Sequence, residues 1–312
     1  MYTKDQLELL EKVDQLFEKK KAENPKFTQN HLAELLGMSA TALSQLRRGN
    51  YQADPQRLFD VLKNYFDVKE KASQNYCEVH YAPTSISTHI YELIGVCQAT
   101  GGLTIAIGDA GIGKTKAAQK FVEDNPINSY LINVNPCLTS IKSLLKALAT
   151  EIGAIQERSC DELWTSIVKK LSDGTVLIFD EAQNLTIKEI ETLRSFSDYF
   201  YSRRQTLGIC FIGNEKTLVY KNSKAEFAQI SNRVRLKRLY SSGQIQIEDI
   251  QMLFPILTEQ KMKKELEFLH RIAKTSEAIR GATDVFLNAY FNDNYTYDGL
   301  RTAASNKGIK IQ

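Results

Sequence analysis

The stretch that most constrains this chain is Gly108-Asp109-Ala110-Gly111-Ile112-Gly113-Lys114-Thr115, which fits the pattern G-x-x-x-x-G-K-[ST]. Its flanks fit too. The apolar, β-branched run 103–107 reads as a buried strand, and 114–122 reads as a helix. Between them, glycines let the backbone curl so that its N–H groups face the phosphates of a nucleotide. The positive end of the following helix points to the same place. Lys114 is expected to neutralise the β- and γ-phosphates of ATP, and the Thr115 hydroxyl to ligate Mg2+. Lys116 joins residues 108–115 in the candidate nucleotide-binding set. The alternative is a chance glycine-rich turn, against which strand, motif and helix agree.

At 312 residues the chain is long enough for about two domains. Its net charge of +3 excludes a polycation, so any nucleic-acid contact must come from local patches. No apolar run approaches the ~18 residues of a membrane span. The first six residues carry two charges and lead into an amphipathic pattern, so no signal peptide is expected. Five scattered cysteines without a C-x-x-C pair suggest reduced thiols in an intracellular, cytoplasmic protein.

Residues 1–68 are expected to form an all-α domain. Leu7, Leu10, Val13 and Phe17 give a first amphipathic helix that ends at Lys19-Lys20-Lys21. Residues 28–46 then resemble a helix-turn-helix of the phage-repressor type: Ala33 allows close helix crossing, Gly37 supplies the turn, and Leu43 and Leu46 anchor the second helix. In that motif the N-terminal residues of the second helix face base edges. Here these are Ser39, Ala40, Thr41, Ser44 and Gln45, with Arg47 and Arg48 near phosphates. They are short, which points away from high sequence specificity. A helical adaptor without DNA is the alternative, and residues 1–75 carry only a net +1, from 12 Lys and Arg against 11 Asp and Glu. Residues 69–85, where periodicity fades, are expected to be a linker.

Residues 86–242 alternate strands with helices of about a dozen residues, the pattern of a parallel sheet covered on both faces. The third strand delivers Asp180 and Glu181 at its C-terminal end. Asp180 is expected to hold Mg2+, and Glu181 to orient and deprotonate the attacking water. Two carboxylates in a solubilising loop are the alternative. The Thr186–Glu189 spacing is a capping box that opens the next helix. Asn214 ends the fourth strand, where a polar residue can hold the attacking water or sense the γ-phosphate. From 214 to 240 there are seven Lys and Arg against two Glu, a net of +5. Lys169 and Lys170 are further DNA candidates, and equally a solvated helix face.

Together the P-loop, Asp180-Glu181-Ala182-Gln183-Asn184-Leu185, Asn214 and Ser231-Asn232-Arg233 resemble an AAA+ ATPase. With the helix-turn-helix in front, the chain is similar to the branch that serves DNA transposition, the target-selecting ATPases of phage Mu-type elements. The resemblance implies a P-loop α/β sheet with a helical lid over 243–312, Asn214 at sensor 1, and Arg280 at sensor 2 on the γ-phosphate. It also implies Arg233 as an arginine finger reaching a neighbouring subunit's nucleotide. The family usually places the finger directly after the serine, and here Asn232 intervenes, so Arg235 stands as a rival. The resemblance further implies ATP-dependent assembly, as filament or ring, on double-stranded DNA with little sequence preference. Delivery of that DNA to a transposase would follow, in a bacterial host cytoplasm and without a membrane. Two alternatives are an ATPase-gated helix-turn-helix transcription regulator and a secretion-associated ATPase of the same branch.

Overall fold

Alternate residues of each central strand enter two different apolar cores, and this two-residue period sets the architecture of the larger unit. A computed structural model of the chain describes residues 2–23, 27–75, 81–214 and 234–309. The chain divides into two compact units, Met1–Val79 and His80–Gln312. In the second, β1 (Gly102–Gly108), β2 (Ser129–Asn133), β3 (Thr175–Asp180), β4 (Leu207–Gly213) and β5 (Val234–Tyr240) form one sheet. All neighbours are parallel, in the order β2-β3-β4-β1-β5. Leu103, Ile105, Ile107, Leu177, Phe179, Ile209 and Phe211 enter one core with the helices α7 (Ile141–Ile152), α8 (Cys160–Lys170) and α9 (Ile187–Tyr201). Ala106, Val176, Ile178, Cys210 and Ile212 enter the other, with α5 (Ser85–Thr100), α6 (Lys114–Asp124) and the C-terminal helices. The edge strand β5 exposes Arg235, Lys237 and Arg238; charges there oppose the addition of a further strand.

Helix starts follow their caps. Ser140 and Thr186 cap α7 and α9 with reciprocal boxes, the latter closed by Glu189. A similar box, Ser159 with Glu162, starts α8 at Cys160, three residues before Leu163, where the apolar spacing of the sequence alone predicts its start. The third strand stops at Asp180 instead of running on to Glu181, whose φ of 56° turns the chain into a 3-10 turn, Ala182–Asn184. Cys97, Cys137, Cys160 and Cys210 are free thiols; burial pushes that of Cys97 up to about 11.

Beyond the sheet lie α10 (Ile247–Leu253), α11 (Pro255–Glu259), α12 (Lys263–Ala273), α13 (Ala278–Phe291) and α14 (Tyr297–Asn306). Apolar spacing in the sequence predicts three helices here, Ile245–Met252, Met262–Ala273 and Thr283–Tyr290. Instead α13 starts at Ala278, because Ala278, Gly281 and Ala282 pack its first turn tightly, and Arg280 lies in that turn. The lid is fastened by Asp249, 1 % exposed, which accepts from Ser85 N (2.6 Å), Ser85 Oγ (2.8 Å) and Gln246 N (2.9 Å).

The smaller unit contains α1 (Lys4–Glu23), α2 (Gln29–Leu35), α3 (Ala40–Arg48) and α4 (Gln56–Asn75) around Val13, Leu16, Leu32, Ala33, Leu36, Leu43, Leu46, Phe59 and Leu62. Gly37 makes the turn between α2 and α3 at φ 68°. α4 continues through 69–75, where a linker was expected: Lys69, Glu70, Lys71 and Ala72 are good helix formers even without an apolar stripe. Among the described residues no helix is long and apolar enough to cross a membrane.

Candidate active site

The loop between β1 and α6 is built by three glycines doing different jobs. Gly111 and Gly113 adopt φ of 78° and 100°, a region costly for other residues. At Gly108 an added Cβ would lie 2.6 Å from Ile112 Cδ1 and 2.8 Å from Tyr240 O, so close packing alone demands glycine. Thr84, Ser140, Ser159 and Thr186 cap α5, α7, α8 and α9 through their side chains. α6 begins instead on Gly113 with no side-chain cap, which leaves its first N–H groups for an anion. Lys114 Nζ donates to Gly108 O (2.8 Å) and Asp109 O (2.6 Å). Burial lowers the Lys114 pKa, against the opposing pull of Asp180, Glu181 and Asp109. The loop is tied to its surroundings through Asp109, whose N–H donates to Tyr240 O (3.3 Å) and whose Oδ2 accepts from Ser242 N (2.7 Å). Ile112 is fully buried, whereas Ala110 and Lys116 are exposed.

Parallel pairing brings the end of β3 beside this loop. Thr115 Oγ1 donates to Asp180 Oδ2 at 2.6 Å. Burial raises the Asp180 pKa, partly offset by the Thr115 hydrogen bond and the Glu181 N–H. A hydroxyl and a carboxylate are hard oxygen donors of the kind Mg2+ takes, so the pair fits that ion. Glu181 is exposed, and Gln183 Nε2 donates to its Oε2. Gln183 Oε1 accepts from Asn214 N at 3.3 Å, joining the end of β3 to the end of β4. Gln183 enters the sequence reading only as one letter of a motif. Its bridging position depends on which strands are neighbours, which spacing along the chain does not disclose.

The lid meets the loop directly. Arg280 N donates to Gly111 O at 3.1 Å, and a Cβ on Gly111 would approach Arg280 Cβ to 2.9 Å. The Arg280 charge also depresses the pKa of Lys114, so both cations act on the same space. Arg233 lies outside the described residues. Arg235 lies at the start of β5, its Nη1 donating to Thr100 O at 2.6 Å and its chain lying across Gly102.

Residues 97–221 match the AAA domain family. In fold, the chain is similar to the crystal structure of Cdc6p from Pyrobaculum aerophilum, with a TM-score of 0.52 and 15 % identity, over 73 % of this chain and 69 % of that one. The chain carries an AAA domain and is an ATPase. It is 27 % identical over 216 residues to the Mu-like prophage FluMu DNA transposition protein B of Haemophilus influenzae, covering 66 % of this chain and 72 % of that protein. It is 24 % identical over 264 residues to the ATP-dependent target DNA activator B of Escherichia phage Mu, covering 83 % and 81 %.

Other candidate residues lie away from the P-loop. In the smaller unit Ser39 Oγ accepts from Ala42 N (3.1 Å), so that serine caps α3. Thr41 and Arg48 are exposed, Ser44 and Gln45 half-buried, and Arg47 forms an ion pair with Asp14. Lys169 and Lys170 are exposed at the C-terminal end of α8. That end leads into the start of β3, so the two lysines lie at the strand-start end of the sheet, opposite the end that carries the P-loop.

Proposed function

We propose that the chain is an ATP-dependent DNA-binding protein that assembles on target DNA, presents it to a transposase and stimulates strand transfer. The observation that carries this reading is the reach of the similarity to the phage Mu target DNA activator. It extends over 264 residues, more than the 233 of His80–Gln312, and so draws in part of the helical unit as well. A bare helix N-terminus, a lysine short of solvation and a Thr115–Asp180 pair support binding of a magnesium nucleotide.

In this reading Gly108, Gly111 and Gly113 let backbone N–H groups reach phosphate oxygens, and Lys114 binds the β- and γ-phosphates. Thr115 and Asp180 would hold Mg2+, and the ion would supply positive charge against that developing on the transferred phosphoryl group. Glu181 takes a proton from water as its oxygen bonds to the γ-phosphorus; the bond to the bridging oxygen breaks and ADP leaves with that electron pair. Asn214 orients the water, and Arg280 contacts the γ-phosphate from the lid. Arg233, or Arg235 as its rival, reaches a neighbouring subunit's nucleotide, so that assembly and hydrolysis depend on each other. Exposed cations such as Arg48 contact DNA phosphates, which need only positive charge.

Electron microscopy of the protein with ATP and random-sequence duplex tests the proposal, with coated DNA as the expected result. Binding should need ATP and should weaken steeply as salt rises, because counterion release dominates a phosphate interface. A footprint confined to one operator would point instead to a transcription regulator. Equal affinity without nucleotide would count against an ATP-driven clamp.

A further inference from the structure

The Gln183 side-chain amide is engaged at both ends. Its Nε2 donates to Glu181 Oε2, and its Oε1 accepts the Asn214 N–H at 3.3 Å. The orientation is determined by its partners. Reversed, the carbonyl oxygen would face a carboxylate and the NH2 group would face another donor.

The turn that carries this amide is held from three sides. Ala182 is buried at 1 % exposure. Asn184 Nδ2 donates to Val134 O at 2.7 Å, just past the end of β2. Gln183 itself reaches Asn214, directly after β4. Since β3 lies between β2 and β4, the turn is fastened to both neighbours of the strand that ends at Asp180. Glu181, by contrast, has an exposed side chain on a left-handed residue, φ 56°. An exposed glutamate samples several rotamers, and holding one conformation carries an entropic cost that must be met before reaction.

We infer that Gln183 is a positioning residue for ATP hydrolysis: its amide fixes one oxygen of the Glu181 carboxylate, leaves the other for water, and ties that orientation to the end of β4 at Asn214. The inference rests on the proposed role of Glu181 as the base. In this reading Gln183 acts on hydrolysis through Glu181.

The test uses full-length protein and steady-state hydrolysis with and without duplex DNA, together with ATP affinity. Gln183→Met keeps the length and bulk of the side chain but removes both hydrogen bonds. It is expected to lower kcat about tenfold, less than the ~10² or more supplied by a general base, with KM and ATP affinity within about twofold of wild type. Gln183→Glu, equally long, places a second carboxylate against the first and should lower kcat further. In a Glu181→Gln background, Gln183→Met should cause no additional loss, because the residue it positions is already gone. Independent losses that multiply in the double variant would show an ordinary structural role and overturn the inference. So would wild-type kcat in both Gln183→Met and Gln183→Glu while Glu181→Gln is slow, a result that leaves Glu181 as the base. Wild-type turnover by Glu181→Gln would remove the base assignment itself, and Gln183's positioning role with it.

Discussion

Lys114 gives up hydration to lie against the carbonyls of Gly108 and Asp109, and burial lowers its pKa. In the proposed site, phosphate oxygens would offset that loss of hydration. Lys114→Ala is expected to abolish ATP binding, measured by calorimetry. Glu181 lies outside that phosphate cradle, so Glu181→Gln should bind ATP with unchanged affinity and hydrolyse it at least ~10²-fold more slowly. Wild-type hydrolysis by both would overturn the assignments. These residues are readable from sequence because their chemistry is local: motif, strand and helix follow one another along the chain. The Gln183 bridge is not local. Its partners are two and 31 positions away, and the longer reach becomes a contact only once β3 pairs with β4.

Strong apolar spacing made α6, α10 and α12 legible, and polar caps sharpened helix starts elsewhere. Thr186 and Glu189 mark α9 in the sequence as clearly as in the structure. In the lid, α11 to α14 begin without a side-chain cap hydrogen bond, and α11 has only five residues. Small residues such as Ala278, Gly281, Ala303 and Ala304 give packing without a strong apolar signature, which hid α14 and the first turn of α13. What fixes the lid to the sheet is a buried carboxylate at sequence distance 164, Asp249 with Ser85. Asp249→Ala leaves Ser85 N, Ser85 Oγ and Gln246 N without their acceptor. It should destabilise the ATPase unit by about 2–4 kcal/mol in denaturant unfolding. A loss below about 0.5 kcal/mol, the usual scale of a surface change, would show that the anchor is dispensable.

At the scale of the assembled protein, the proposed arginine in trans makes two incomplete proteins complementary. Arg233→Ala should keep nucleotide affinity and lose DNA-stimulated hydrolysis, since transition-state charge goes uncompensated. Mixed with Lys114→Ala, which supplies a finger but no working pocket, it should regain part of the activity. Recovery only in mixtures made with Arg235→Ala would assign the finger to Arg235, and recovery in neither would show a site completed within one chain. The loop proposed to bind the nucleotide also serves as a joint. Asp109 is stitched to the end of β5 and to Ser242, and Gly111 to the first turn of α13. Thermodynamic reciprocity then runs in both directions: if ATP alters how the lid sits, any macromolecule that grips the lid must change ATP affinity by the same factor that ATP changes its own. A partner that never touches the nucleotide can thus be detected, and its coupling measured, by titrating ATP alone in its presence and absence.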